Sequence, residues 1–367
     1  MKVAYLTPLY FSDQSCIGGG ERYPTNLAKG VVHASNHSCR VELISYGQQN
    51  QVKELFPGVT LRVLRTDILP PNILDVGSWE LPSAIRDADV VHIHQAFTRS
   101  SEAGYLAAKL QGKPIVVSDH GGISSHLGIQ IGILDMVDRV IAYSQFGANM
   151  LRTRTAIEII RGGVDGEWFC PPAVRPPRTH VLAVQRLLPH KGVDRVIRAL
   201  PRNLPLKIVG RPYNLDYLKL LKELAHGKDV QFITDADDAV TRELYRSAWV
   251  NVLGSVYKDC YGTIMVQPEL MGLTLLEAMG CGTPAICSRV GGMPEFVRHG
   301  ETGFIYDSVE ELSEYLTFLA DHPAEVERMG RNARQVVETE FDLRVCGQKA
   351  LRVYCEISRR RVSTEAA

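Results

Sequence analysis

Two glutamates, Glu269 and Glu277, stand eight positions apart in the segment PELMGLTLLEAMGCGTP (268–284), with Gly272 between them and a glycine–proline stop behind. The apolar positions Leu273, Leu275, Leu276, Ala278 and Met279 fit a helix that begins near Gly272. Glu277 would then ride on its first turns, with Glu269 in the loop before it. Free backbone N–H groups and the positive end of the helix dipole face that loop. A carboxylate on each side of an anion-attracting helix start suits a site that grips phosphate and sugar hydroxyls together. Taken alone, the segment also reads as a buried helix with two incidental acids.

Four further segments carry residue types of the same chemistry. In VQRLLPHKGVDRVIRAL (184–200) a strand ends at Arg186 and Lys191-Gly192 opens a helix, so two cations at a strand–helix turn are placed to neutralise a diphosphate. In GGGERYPTNLAKG (18–30) the glycines Gly18, Gly19 and Gly20 follow the first strand and let the backbone approach a phosphate. The spacing is not G-x-G-x-x-G, which argues against a nicotinamide enzyme; a flexible loop explains the glycines equally well. In VVSDHGGISSH (116–126) His120 follows a strand and precedes Gly121-Gly122, while His92 and His94 in VVHIHQAF alternate onto one strand face. These two read as wall residues. In VGGMPEFVRHGETGF (290–304) Gly291-Gly292 marks a turn into a short helix, and HGETG a second turn.

The elements that must position these residues are short, nearly continuous apolar runs, each followed by a helical pattern: VAYLT (3–7), VELISY (41–46), VVHIH (90–94), IVVS (115–118), VIAYS (140–144), HVLAVQ (180–185), LKIVG (206–210), VQFIT (230–234), WVNVLG (249–254) and PAICS (284–288). Such alternation implies parallel sheets covered on both faces. At 367 residues two domains are expected. The proline-rich stretch CPPAVRPPRTH (170–180) is the natural joint. The reading is an N-terminal Rossmann-like domain over 1–168, a second over 169–343, and a final helix over 344–367 that packs back on the first. Ligand is expected at the carboxyl ends of the strands.

Composition narrows the function. Lys plus Arg and Asp plus Glu both number 41, so the formal charge is zero and nothing recommends a nucleic-acid partner. No stretch approaches a transmembrane span, and the N-terminus has no signal-peptide pattern. The eight cysteines include no CxxC pair and no zinc spacing, which fits reduced thiols in a cytoplasm and no dedicated metal site. Peripheral contact with a membrane and the oligomeric state stay open.

Together and in this order, these segments resemble the retaining GT-B glycosyltransferases of family 4, over nearly the whole chain. The resemblance implies two Rossmann-like domains facing each other across a cleft. It also implies transfer of a sugar from a nucleotide-diphosphate donor to an acceptor hydroxyl with the anomeric configuration kept, without a metal or other cofactor. Glu277 matches the glutamate that holds the nucleotide ribose, and Glu269 the one that contacts the donor sugar. Backbone amides at Gly272, Leu273 and Thr274 would assist. Arg186 and Lys191 match the pair that grips the diphosphate, Gly19 with Gly18 and Gly20 the phosphate-facing loop of the first domain, and His120 the histidine beside the reacting sugar. The resemblance thus implies His120, Glu269, Arg186 and Lys191 as the catalytic set.

Three departures stand out. Arg161-Gly162-Gly163-Val164-Asp165 replaces a Pro-Asn-Gly-Val-Asp turn, Arg211-Pro212 replaces a further glycine, and SVYKDCYGTIMVQ (255–267) lengthens the link before Glu269. The alternatives are a sugar-nucleotide epimerase of the same architecture and a non-catalytic nucleotide-sugar-binding subunit.

Overall fold

The computed structural model describes residues 1–8, 19–67, 75–121 and 123–365; Gly18 lies outside these. The chain divides into two compact units, Met1–Gly163 with Leu343–Ala367, and Val164–Asp342.

Unit 1 holds strands β1 (Lys2–Leu6), β2 (Arg40–Gly47), β3 (Gln51–Phe56), β4 (Val59–Arg65), β5 (Val90–His94), β6 (Ile115–Ser118), β7 (Arg139–Ala142) and β8 (Ile157–Ile159), in the order β3-β4-β2-β1-β5-β6-β7-β8. Every pairing is parallel except β3–β4, where Pro57 and Gly58 make the turn and Gly58 takes φ +85°. Residues 51–54 of this edge strand are exposed and include Lys53 and Glu54, which discourages pairing with another chain. The expected runs of unit 1 all form strands, but β3, β4 and β8 were not expected. Their polar alternation or shortness carries no continuous apolar signal. Ala4, Leu6, Ile44, Val91, Ile93, Val117 and Val140 build the core on one face.

Unit 2 holds β9 (His180–Val184), β10 (Leu206–Val209), β11 (Val230–Ile233), β12 (Ala248–Leu253), β13 (Ala285–Ser288) and β14 (Gly303–Tyr306). Its order is β11-β10-β9-β12-β13-β14, parallel throughout. Strand order reverses between β9 and β12, the doubly wound arrangement in which ligands sit beyond the carboxyl ends of the two central strands. Strand β14 grows out of GETGF, where only a turn was expected.

The proline-rich stretch is not the joint. Val164 already belongs to unit 2, where its N–H donates to the Phe341 carbonyl at 3.1 Å and it bridges Asp342. Residues 170–180 lie within unit 2, anchored by Arg178, whose guanidinium donates to Glu327, Thr283 and the Gly282 carbonyl. The boundaries at 168/169 and 343/344 therefore give way to Gly163/Val164 and Asp342/Leu343. Gly162 and Gly163 turn the chain there with φ of +92° and +99°, which is where RGGVD departs from the family pattern.

The C-terminal helix Leu343–Glu365 lies against the first helix, Gly19–Ala34, with their backbones in contact. A Cβ added to Gly347 would stand 2.0 Å from the Gly30 carbonyl carbon, and one on Gly30 would stand 1.9 Å from the Leu343 oxygen. Neither neighbour can rotate away. Gly347→Ala is expected to force the helices apart and cost about 3 kcal/mol, the upper end of overpacking. A urea midpoint unchanged from the parent would contradict that contact. No described helix is long and apolar enough to cross a membrane.

Candidate active site

In unit 2 the two loops at the strand-order reversal touch through their backbones. After β9 the chain makes a short turn, Pro189–Lys191, and Gly192 adopts φ +66° before helix Val193–Ala199. A Cβ on Gly192 would lie 2.0 Å from the carbonyl oxygen of Gly254, which follows β12. The Val256 N–H donates to the His190 carbonyl at 3.0 Å. Glycine at 192 thus lets Lys191 reach the residues that follow β12.

There Lys191 Nζ meets Glu269 Oε2 at 2.6 Å, and the Ser255 hydroxyl stands 3.5 Å from the same oxygen. The backbone of Glu269 is held from behind. Gly292 N–H donates to its carbonyl at 2.9 Å, and a Cβ on Gly291 would lie 1.9 Å from that oxygen. The Gly291 N–H in turn donates to the Tyr257 hydroxyl at 3.0 Å. Tyr257 belongs to the lengthened segment, which forms a small hairpin bridged at Lys258 and Ile264. The Asp259 carboxylate accepts the N–H groups of Tyr261 and Thr263 and fixes its turn. The hairpin is thus fastened through the Tyr257 hydroxyl to the loop after β13, whose Gly291 and Gly292 back the Glu269 carbonyl.

Gly272 caps the helix Leu273–Gly280 with φ +86°, as its position in the sequence suggested. Glu277 is 3% exposed, and its Oε2 accepts the Tyr245 hydroxyl at 2.9 Å. Tyr245 comes from helix Asp238–Ser247, a partner without any sequence signal. Asn251 of β12 donates to the Thr274 carbonyl at 3.1 Å and ties the helix start to the sheet.

The charges are coupled. Burial works to raise the Glu269 pKa, but Lys191 at contact distance, then Arg186 and His190, outweigh it and hold the carboxyl below its ordinary value. Burial, Lys191 and Arg186 push His190 down to about 4. Arg186 itself is exposed. Arg186, Lys191 and Glu269 are therefore together, and Glu269 is an ionised acceptor, not a proton donor.

In unit 1 the histidines gather on one face of the sheet. His92 bonds the Ser118 hydroxyl through Nε2 and the Tyr354 hydroxyl through Nδ1, each at 2.7 Å, and Tyr354 meets the Tyr5 hydroxyl at 2.7 Å. That chain pins the C-terminal helix. His94 Nδ1 lies 3.2 Å from His120 Nε2. Gly19 and Gly20 open the helix Gly19–Ala34 instead of forming a loop, so their amides belong to its first turn.

Burial drives these imidazoles down, His120 to about 3 and His92 and His94 well below 6.5. His180 and His190 behave alike. As pH falls below 6.5 the unfolded chain takes up protons that the folded histidines refuse, so stability is present above that pH and declines beneath it. Asp119 opposes the trend: burial raises it to about 6, so the folded form takes up its proton first. Glu269 adds its own loss only below 4.5. The expected net effect between pH 6.5 and 5 is a fall of about 1.4 kcal/mol per pH unit for each uncompensated imidazole. Urea unfolding at pH 7 and pH 5 checks it, and equal stabilities would contradict neutral burial.

A family model described as Glycosyltransferase Family 4 matches residues 17–168, and one described as Glycosyl transferases group 1 matches residues 167–336. The alpha-maltose-1-phosphate synthase of Mycobacterium tuberculosis is 29% identical over 329 residues, 76% of this chain and 81% of that protein. Among solved structures, sucrose-phosphate synthase from Thermosynechococcus elongatus superposes with a TM-score of 0.78 at 20% identity, covering 98% of this chain and 99% of that one. HepE of Anabaena, solved with UDP and glucose, gives 0.74 at 18% identity over 97% and 100%. These structural likenesses speak to the fold.

Proposed function

We infer, for a chain that belongs to the group 1 glycosyltransferases of GT-B fold, a retaining transfer of a sugar from a nucleotide diphosphate to an acceptor hydroxyl, without a metal ion. The observation that carries this reading is the Lys191–Glu269 contact of 2.6 Å, set where the strand order of unit 2 reverses. The bound UDP and glucose of HepE, a protein of the same fold, support a nucleoside diphosphate sugar as donor.

Breaking the bond between sugar and phosphate leaves negative charge on the diphosphate and positive charge on the sugar. Arg186 and Lys191 supply fixed positive charge for the leaving group, which a divalent cation would otherwise have to provide. The amides of Leu273 and Thr274 add the dipole of the helix start. Glu269, kept ionised by Lys191, accepts hydrogen bonds from hydroxyls of the sugar being moved. Glu277, oriented by Tyr245, accepts the ribose hydroxyls. The family resemblance gives His120 the place beside the reacting sugar, and Gly19 and Gly20 a phosphate-facing role. In a same-face reaction the departing phosphate oxygen takes the acceptor's proton, the new C–O bond forms as the C–OP bond breaks, and no protein base is consumed.

The test combines donor and product. Purified protein is incubated with UDP-, GDP-, ADP- and TDP-sugars and hydroxyl acceptors, with and without a chelator, and products are followed by NMR. A glycoside with the donor's anomeric configuration, formed despite chelation, is expected. An inverted product overturns retention, and chelator-sensitive turnover overturns metal independence. Donor isomerised without acceptor identifies an epimerase. Donor bound but never consumed identifies a non-catalytic subunit.

A further inference from the structure

His94 closes β5 at the place in unit 1 where strand order reverses, between β1 and β5. Its ring is buried between Tyr5, at 4.6 Å between centroids, and His92, at 4.0 Å. His92 is itself clamped by Ser118 and Tyr354, so the His94 ring has a fixed neighbour to rest on. Nδ1 of His94 faces Nε2 of His120 at 3.2 Å, whereas the buried Nε2 of His94 has no hydrogen-bond partner among the described residues. His120 is only partly buried, with Tyr23 and Tyr143 packed edge-on at 5.7 and 5.0 Å.

Both imidazoles are held uncharged by burial, so each carries one N–H and a single proton lies between them. Two arrangements satisfy that condition. If His120 donates from Nε2, His94 must carry its own proton on Nε2, where a buried N–H finds no acceptor among the described residues. If His94 donates from Nδ1, only a lone pair is left bare. Orphaned buried donors are rarer than under-satisfied acceptors, which selects the second arrangement.

We propose that His94 is a positioning residue whose Nδ1–H fixes His120 as its Nδ1–H tautomer, so that His120 offers a hydrogen-bond donor to a substrate hydroxyl and cannot serve as a base. This deepens the role given to His120 above, but the tautomer is a property of unit 1 alone and does not depend on the reaction. An adjoining hydrogen bond sets which imidazole nitrogen is protonated, as it does for histidines held by an outer partner.

Nitrogen–proton correlation spectra of ¹⁵N-histidine-labelled full-length protein, without donor or acceptor, read the tautomer directly. The expected wild-type result is His120 protonated on Nδ1. His94→Leu should move His120 towards the Nε2–H form and lower kcat/KM by about 10–100-fold. His94→Asn, which keeps an N–H near the position of Nδ1, should restore the tautomer and most of the rate. An Nε2–H tautomer in the wild type overturns the proposal, as does an unchanged tautomer in a folded His94→Leu variant. If His94→Leu does not fold, the wild-type spectrum decides alone. Failure of the transferase reading would show separately, as absence of product with the tautomer as expected.

Discussion

Lys191→Met is expected to lower transfer by about 10²–10³-fold, the loss seen when one fixed donor to a developing anion is removed. Two effects coincide in this variant and can be separated. The ammonium is 2.6 Å from Glu269 Oε2, with side chains 13% and 18% exposed, so its removal strands a nearly buried carboxylate. Breaking such a pair costs up to about 3–5 kcal/mol, less here because both groups retain some solvent. Burial then acts on Glu269 with only Arg186 and His190 to oppose it, and its pKa rises. The paired change Lys191→Met with Glu269→Gln removes both charges and should regain stability while transfer stays lost. Initial rates and urea midpoints for the three proteins decide. Retained turnover in Lys191→Met, or recovery of turnover in the double variant, would reduce the pair to a structural contact.

Glu277→Ala should weaken nucleotide binding by roughly tenfold to a hundredfold for each ribose hydroxyl it holds, since a hydrogen bond to a charged group is worth about 1.5–3 kcal/mol. The carboxylate is buried and oriented by the Tyr245 hydroxyl at 2.9 Å. Tyr245→Phe keeps the ring and removes that hydroxyl, so a smaller loss in the same direction is expected. For Glu277→Ala the donor KM should rise more than kcat falls, because the ribose is bound alike before and during transfer. Calorimetry with the free nucleoside diphosphate gives a second reading. Unaltered affinity in a folded Glu277→Ala variant would remove the residue from the nucleotide site.

Much of unit 2 was legible because its signals are local. Leu273, Leu275, Leu276, Ala278 and Met279 recur with helical period behind Gly272, and the helix starts there. The long apolar strands were equally plain. The hairpin β3–β4 was not, since Gln51, Lys53 and Glu54 lie on an exposed edge where no burial imposes an apolar pattern. Prolines at 171–177 suggested a joint, yet arginine contacts to distant carbonyls and carboxylates hold that stretch to unit 2. The segment 255–267 was recognisable as an insertion. Its attachment through Tyr257 to Gly291 was not, because the two are 34 residues apart.

By itself the sequence determined which residues follow which strands, where glycines permit tight turns, and the order of motifs that marks the family. Those properties depend on propensity and spacing over a few residues. Only the tertiary structure decided the partners: Lys191 with Glu269 across 78 positions, Tyr245 with Glu277 across 32, and His94 with His120 across 26. Such pairs exist because parallel crossovers bring the carboxyl ends of neighbouring strands side by side, β9 with β12 and β5 with β6, and lay the helices Asp238–Ser247 and Leu273–Gly280 against one sheet. The ionisation of Glu269 and the neutrality of His120 follow from the same step, since burial and contact distance set a pKa and neither is written in the spacing of residues along the chain.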